Sequence, residues 1–325
     1  MNKLVLILVL TVVLLGSLAA CSSQTSTTTQ PAATTQAATA TQSATTAQPV
    51  TTTESSPASS TTAQNPQDAE LAQILNGKTL VAVYRYQDVD RYEQYLEKKL
   101  KNYNPDFELQ GILLVDTLTD ALLQLSSGKA DVLEVMDFTG TYLSQHNADM
   151  KVLKYDAYNS STHMLFRQAE QAQYEKVNTA LKAMIDDGTV SKLTDEWVTN
   201  LTMDKVLTGG TMPVIDGAET LKVGLSGDAP PLDYVAADGT PGGFNVAVLS
   251  EISKRAGINI ELVSVTGGGR FAALESGKID AFLWHNAYIW GTMTMPKTTL
   301  TLGDQTLWIT EPYLKAGASY IYIQK

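Results

Sequence analysis

The sequence predicts an α/β protein of two similar lobes, and three observations carry that prediction. The stretch Leu125-Ser126-Ser127-Gly128-Lys129-Ala130-Asp131 is echoed by Leu274-Glu275-Ser276-Gly277-Lys278-Ile279-Asp280. In each copy an amphipathic helix ends at a Gly able to take the left-handed conformation, and a Lys suits the negative end of the helix dipole. A buried strand then follows, Val132 to Met136 in one copy and Ala281 to Trp284 in the other. Each copy comes roughly 50–60 residues after a short apolar strand, which is the spacing of repeated αβ units. Those first strands are Thr79-Leu80-Val81-Ala82-Val83 and Thr220-Leu221-Lys222-Val223-Gly224. The third observation is a change of texture at Asp68, where a Ser/Thr/Ala-rich stretch gives way to this alternating αβ pattern.

Taken in order, residues 1–20 hold one charge, Lys3, followed by an apolar run from Leu4 to Leu15. A run of that length after a basic start reads as a secretory signal, too short for a membrane span. It ends Leu18-Ala19-Ala20-Cys21, which resembles the bacterial lipobox, cut before a cysteine that is then lipidated. The plainer alternative is an ordinary signal with a chance cysteine. Cys21 is the single cysteine of the chain, so there is no intramolecular disulfide framework and no Cys-rich zinc site. Lipid on Cys21 would make the protein a membrane-anchored one on the extracytoplasmic face. Residues 21–67 form a tether of Ser, Thr, Ala, Gln and Pro with Glu54 as its one charge, too poor in apolar side chains to offset the entropy of ordering.

Residues 68–201 form the first lobe of the chain. They close with two helices, one with Tyr174, Val177, Leu181, Met184 and Ile185 on a shared face and stopped by Gly188, the next with Val190, Leu193, Trp197 and Leu201. Residues 202–218, with Gly209-Gly210, Pro213 and Gly217, read as a connector, and 219–325 as the other lobe. The formal net charge of −11 and a pI near 4.7 argue against nucleic-acid binding, which needs a basic surface. His146, His163 and His285 are scattered, which disfavours a histidine metal cage, and no motif calls for a cofactor.

Several runs in the second lobe resemble one family. They are Leu221-Lys222-Val223-Gly224, Asp228-Ala229-Pro230-Pro231, Asp238-Gly239, Gly243-Phe244-Asn245-Val246, Lys254-Arg255-Ala256-Gly257 and Leu274 to Asp280. Together they resemble the opening lobe of the bacterial extracellular solute-binding proteins of family 3, the polar amino-acid receptors of ABC importers. Thr310-Glu311-Pro312-Tyr313 and Ala318-Ser319-Tyr320-Ile321-Tyr322-Ile323 are similar to the approach to that family's first hinge strand and to the strand itself. Leu75-Asn76-Gly77-Lys78-Thr79, Ser161 to Arg167, and Tyr174 to Trp197 are similar to the start of its second lobe, its return hinge strand and its closing helices. The resemblance implies a two-lobed periplasmic-binding-protein fold of type II with two hinge strands and the lobe order permuted. A circular permutation cut in the hinge explains the order. Two truncated half-proteins fused side by side are the alternative.

The same resemblance implies a small polar solute held between the lobes and passed to a membrane permease by a monomeric receptor. Ligands of open αβ sheets sit beyond the carboxyl ends of the strands. The candidates there are Asp228, Leu232, Tyr234, Trp284, His285 and Asn286 in the opening lobe, and Tyr86, Gln87, Asp88, Met136 and Asp137 in the other. Arg270, after Gly267-Gly268-Gly269, stands where some acidic-ligand members carry an Arg; a surface Arg at a helix start is the bland reading. The family's amino-acid clamp is altered at four points. No Arg follows Arg270, with Lys297 as the one cation nearby; the ammonium-binding Asp aligns with Met136; Leu232 stands at the aromatic position; and Tyr86-Gln87-Asp88 replaces the Gly-Thr loop. Asp88 and Asp90 also suit a helix start, and Trp284, Trp290 and His285 also suit packing or surface roles. A ligand sensor or an adhesion or interaction protein that has kept the fold without transport is the second functional reading. A dehydratase-like enzyme pairing His285 with Asp137 or Asp228 is the third, and no motif recommends it.

Overall fold

Apolar side chains alternate along the strands with a period of two, and helices cover both faces of the sheet they build. The computed structural model describes residues 65–83, 89–201, 210–286, 298–302 and 305–324, without the side chains of 156–160, 284–286 and 302. The elements of the first part are α1 (Pro66–Leu75), β1 (Thr79–Val83), α2 (Val89–Leu100), β2 (Gly111–Val115), α3 (Leu118–Ser126), β3 (Val132–Met136), α4 (Asp137–His146), β4 (Met150–Arg167), α5 (Gln171–Asp186) and α6 (Thr189–Thr194). Those after the connector are β5 (Thr220–Leu225), β6 (Asp228–Ala229), β7 (Asp233–Val235), β8 (Pro241–Gly242), α7 (Phe244–Ala256), β9 (Asn259–Ser264), α8 (Arg270–Glu275), β10 (Ala281–Asn286), β11 (Thr299–Leu302), β12 (Gln305–Ile309) and β13 (Leu314–Ile323).

The main sheet runs β2-β1-β3-β13-β4-β10-β5-β9, with β12 on β4 and β11 on β12. It divides into two halves of the same plan. In the first, β2, β1 and β3 are parallel, β13 lies antiparallel to β3, and the start of β4 lies beyond β13. In the second, β9, β5 and β10 are parallel, the end of β4 lies antiparallel to β10, and β12 lies beyond it. Each half therefore takes one inner strand from the chain segment that also serves the other half. Between the halves the pairing slips: Ala316 faces Ser160 and Ala318 faces Tyr155, so residues 156–159 of β4 stand opposite Gly317 alone.

In the first half Leu80, Ala82, Val132 and Tyr320 face α1 and α2, which bury Leu71, Leu75, Tyr92, Leu96 and Leu100. Val81, Leu133, Val135 and Ile321 face the other way, against Leu118, Ala121, Leu125 and Leu143 of α3 and α4. In the second half Val223, Ala281, Met164 and Phe166 pack on α5 and α7, and Leu165 and Phe282 on Ala273, Leu274 and Ile309. Each fully buried Leu or Phe contributes about 1.5–3 kcal/mol of transfer free energy.

The sequence echo is real and its register differs from the expected one by two residues. Gly128 and Gly277 both take φ 73°, as helix ends of this kind require. Asp131 accepts the Thr79 amide at 3.0 Å and donates its own to the Thr79 carbonyl; Asp280 does the same with Lys222. Thr79 therefore corresponds to Lys222, and the apolar run beginning at Thr220 enters its strand two residues earlier. Two details of the closing helices also differ. Ile185 is 37% exposed, because it lies one residue round the helix from buried Met184, near the helix end. The second helix is α only to Thr194 and continues as a π turn over Asp195–Thr199, with Trp197 half-buried.

His163, buried in β4 beside the slip, donates from Nδ1 to the Thr310 carbonyl and accepts the Ser161 hydroxyl at Nε2, each at 2.8 Å. Burial pushes its pKa down, against the smaller upward pull of the Thr310 carbonyl and Glu311. The unfolded chain then takes up the proton first. Stability is full above the unfolded pKa of about 6.5 and is lost as pH falls from there through the lower folded value. Urea unfolding between pH 7.5 and pH 5 is expected to show a steeper acid loss in the wild type than in His163→Gln. Parallel losses would refute this role.

Candidate functional site

The loop after β5 is built around one buried carboxylate. Asp233 Oδ1 accepts the Ser226 hydroxyl and the Gly227 amide, both at 2.7 Å, and Oδ2 accepts Asn245 Nδ2 at 2.9 Å. Asn245 Oδ1 in turn accepts the Tyr313 hydroxyl at 3.4 Å. The first amides of α7 are also taken up locally, Phe244 by the Pro231 carbonyl and Asn245 by that of Leu232. The Pro230-Pro231 peptide bond is cis. This network fixes the small β6-β7-β8 sheet, in which Asp228 faces Tyr234 across the strands.

Asp228 and Tyr234 are thus brought together, and both meet the first half of the main sheet. Asp228 Oδ2 accepts the Leu118 amide at 2.8 Å. Leu118 opens α3, where the Thr117 hydroxyl caps the Asp120 amide at 3.0 Å and leaves the Leu118 amide for a second acceptor. Burial raises the Asp228 pKa, aided by nearby Asp233, while bonds from Leu118, Ser226 and Thr119 pull it down by less. Burial likewise pushes the Tyr234 phenol up to about 12, with Tyr142 of α4 adding to the shift from across the gap. Leu232, at the position expected to be aromatic, is buried.

Asp137 is the first residue of α4, directly after β3, and is half-buried. Its Oδ1 accepts the Phe138 amide at 2.8 Å, so the helix-start role is filled whatever else the carboxylate does. Arg270 opens α8, as expected. Its guanidinium donates to the Gly267 carbonyl at 3.0 Å and the Leu283 carbonyl at 3.2 Å and lies over the Phe282 ring. Arg270 thereby ties the Gly-rich turn to β10, a structural task that sequence reasoning left out. Trp284, His285 and Asn286 end β10, paired with His163, Thr162 and Ser161. Their side chains, together with Tyr86, Gln87, Asp88, Lys297 and Cys21, lie outside the described residues. Sequence reasoning missed Ser226, Asp233 and Tyr142. The Asn245 of the Gly-Phe-Asn run was the one signal that pointed at the network.

A groove of about 500 Å³ lies elsewhere, between the π turn and α7, lined among others by Lys192, Glu196, Trp197, Glu251 and Lys254. Its Glu251 is engaged by Arg255 and Lys254, and none of the candidate residues read from the sequence lines it. Among the described residues no group of His, Cys, Asp and Glu could hold a metal ion, and no helix is long and apolar enough to cross a membrane.

Residues 221–289 match the family of bacterial extracellular solute-binding proteins, family 3. Over 104 residues the chain is 33% identical to a probable amino-acid ABC transporter-binding protein of Haemophilus influenzae, covering 30% of this chain and 39% of the relative. The chain thus spans about two fifths of the length of the curated relative it matches. Among solved structures it is similar to a ligand-binding component of an ABC-type import system from Staphylococcus aureus, at TM-score 0.41 and 11% identity over 75% of this chain and 65% of that one. It is also similar to a probable amino-acid ABC transporter extracellular-binding protein from Bacillus subtilis, at TM-score 0.36 and 11% identity over 76% and 84%. The likeness to the bacterial extracellular solute-binding proteins of family 3 thus rests on the segment 221–289, which runs from β5 to β10 and holds the Asp228–Tyr234 pair.

Proposed function

We propose that this protein captures a small polar solute, an amino acid or a related compound, between the two halves of its sheet and delivers it to an ABC importer. The observation that carries the reading is the meeting of Asp228 and Tyr234 with the start of α3 and Tyr142 of α4, beyond the carboxyl ends of the strands. The Haemophilus relative, an amino-acid ABC transporter-binding protein by name, supports the solute class. The interleaved strand order supports a receptor whose lobes follow one another in permuted sequence. Lipid on Cys21 and the tether over residues 21–67 hold the receptor monomer on the outer face of the membrane, within reach of a permease.

One preparation with two readouts tests this. The wild type is expected in the membrane fraction and Cys21→Ser in the soluble fraction. The soluble form is then melted with amino acids, small peptides, amines and organic acids in turn. A true solute at a hundred times its Kd adds about 2.7 kcal/mol, or roughly 5–10 °C for a domain of this size. A panel with no shift would overturn the receptor reading, and unchanged partitioning of Cys21→Ser would overturn the anchor.

A further inference from the structure

The bond between Asp228 and the Leu118 amide joins the two halves of the sheet directly, across 110 residues of sequence. One partner is a side chain on the rim of the second half; the other is a backbone group at the start of a helix packed in the first. The arrangement is complementary in detail. Thr117 takes the third amide of α3, Asp228 takes the first, and the positive end of the nine-residue helix favours a carboxyl oxygen there. Asp228 is itself held from behind, through the Ser226–Asp233–Asn245 network, so the reach of its side chain is fixed by the second half alone.

We propose that Asp228 is the residue through which the empty receptor closes, by occupying the start of α3 in place of any solute group. The inference rests on the reading of the gap between the halves as the solute site. It adds the regulation of that site. Solute enters through the open form, so every fraction of the protein that Asp228 holds closed raises the apparent Kd by the inverse of the open fraction. The burial that raises the Asp228 pKa works against the ionised carboxylate and leaves the acceptor geometry intact. A neutral side chain of the same shape should therefore close the halves at least as well, and a side chain without an acceptor should not.

The test is a distance measurement in the full chain carrying Cys21→Ser, with spin labels on Leu123→Cys in the first half and Val214→Cys in the connector, which is bonded to β9 of the second half through Ile215 and Asn259; the two are 53% and 92% exposed in the parent. Without solute, Asp228→Ala is expected to move the distribution to longer distances than the wild type shows, and Asp228→Asn to keep the short distance. Asp228→Ala indistinguishable from the wild type would overturn the proposal, as would Asp228→Asn opening as far as Asp228→Ala. Adding the solute panel to the same samples separates the two ideas. If no solute alters any distance, the receptor reading fails, while the contrast between the variants still decides the role of Asp228.

Discussion

Gly243→Ala is expected to cost about 4 kcal/mol or more of folding stability, enough to lower the melting temperature by roughly 8–16 °C. Gly243 has φ 107°, and a Cβ placed on it would lie 2.4 Å from the Leu232 carbonyl oxygen and 2.8 Å from its carbon. Those atoms are backbone, and the same carbonyl accepts the Asn245 amide, so relief of the clash must break the start of α7 or move the β7 loop. Gly239→Ala is the control. Gly239 also has a positive φ, 84°, yet a Cβ there meets nothing within 4 Å, so only the backbone strain of about 1–2 kcal/mol applies. Similar small losses in both variants, read by thermal melting, would refute the close approach.

Asp233→Ala is expected to be nearly as damaging, by roughly 3–5 kcal/mol, because it leaves three donors without the carboxylate that gathers them. The Ser226 hydroxyl and the Gly227 amide come from the loop after β5 and Asn245 Nδ2 from the start of α7, and the carboxylate gathers the two stretches. Asp233→Asn should fall between, since Oδ1 can still serve Ser226 and Gly227 while an amide nitrogen confronts Asn245. The damage should be local as well as global: amide hydrogen exchange over residues 226–235 should quicken well below the unfolding transition. A loss under about 1 kcal/mol, with exchange unchanged, would show that the loop holds its shape without Asp233.

What the sequence made legible was local. The Gly128 and Gly277 helix ends and the strands on either side of them each leave a short-range imprint, in turn chemistry or in apolar period. The two-residue offset between Thr79 and Lys222 was hidden because an apolar strand has no internal landmark; the landmark is the Asp that caps it, 52 and 58 residues later. Asp228 was legible as a candidate by its place after β5. Its partner was not, because a backbone amide carries no residue signature. Asp233 was masked by its setting: Leu232-Asp233-Tyr234 reads as ordinary alternation with the charge outward, whereas the carboxylate is buried. Arg270 was legible as a helix start, and its hold on the Leu283 carbonyl follows only from the packing of α8 on β10.

The crossing of β4 and β13 also sets the order in which the molecule can be finished. Every element of the first half except one has been made once Arg167 is added. The missing one, β13, lies between β3 and β4 and ends at Ile323. Until then β3 presents an unpaired edge where Ser319 to Tyr322 will later dock, and the first half is a sheet with a gap in it. The first half therefore completes its sheet only after β13 has been made.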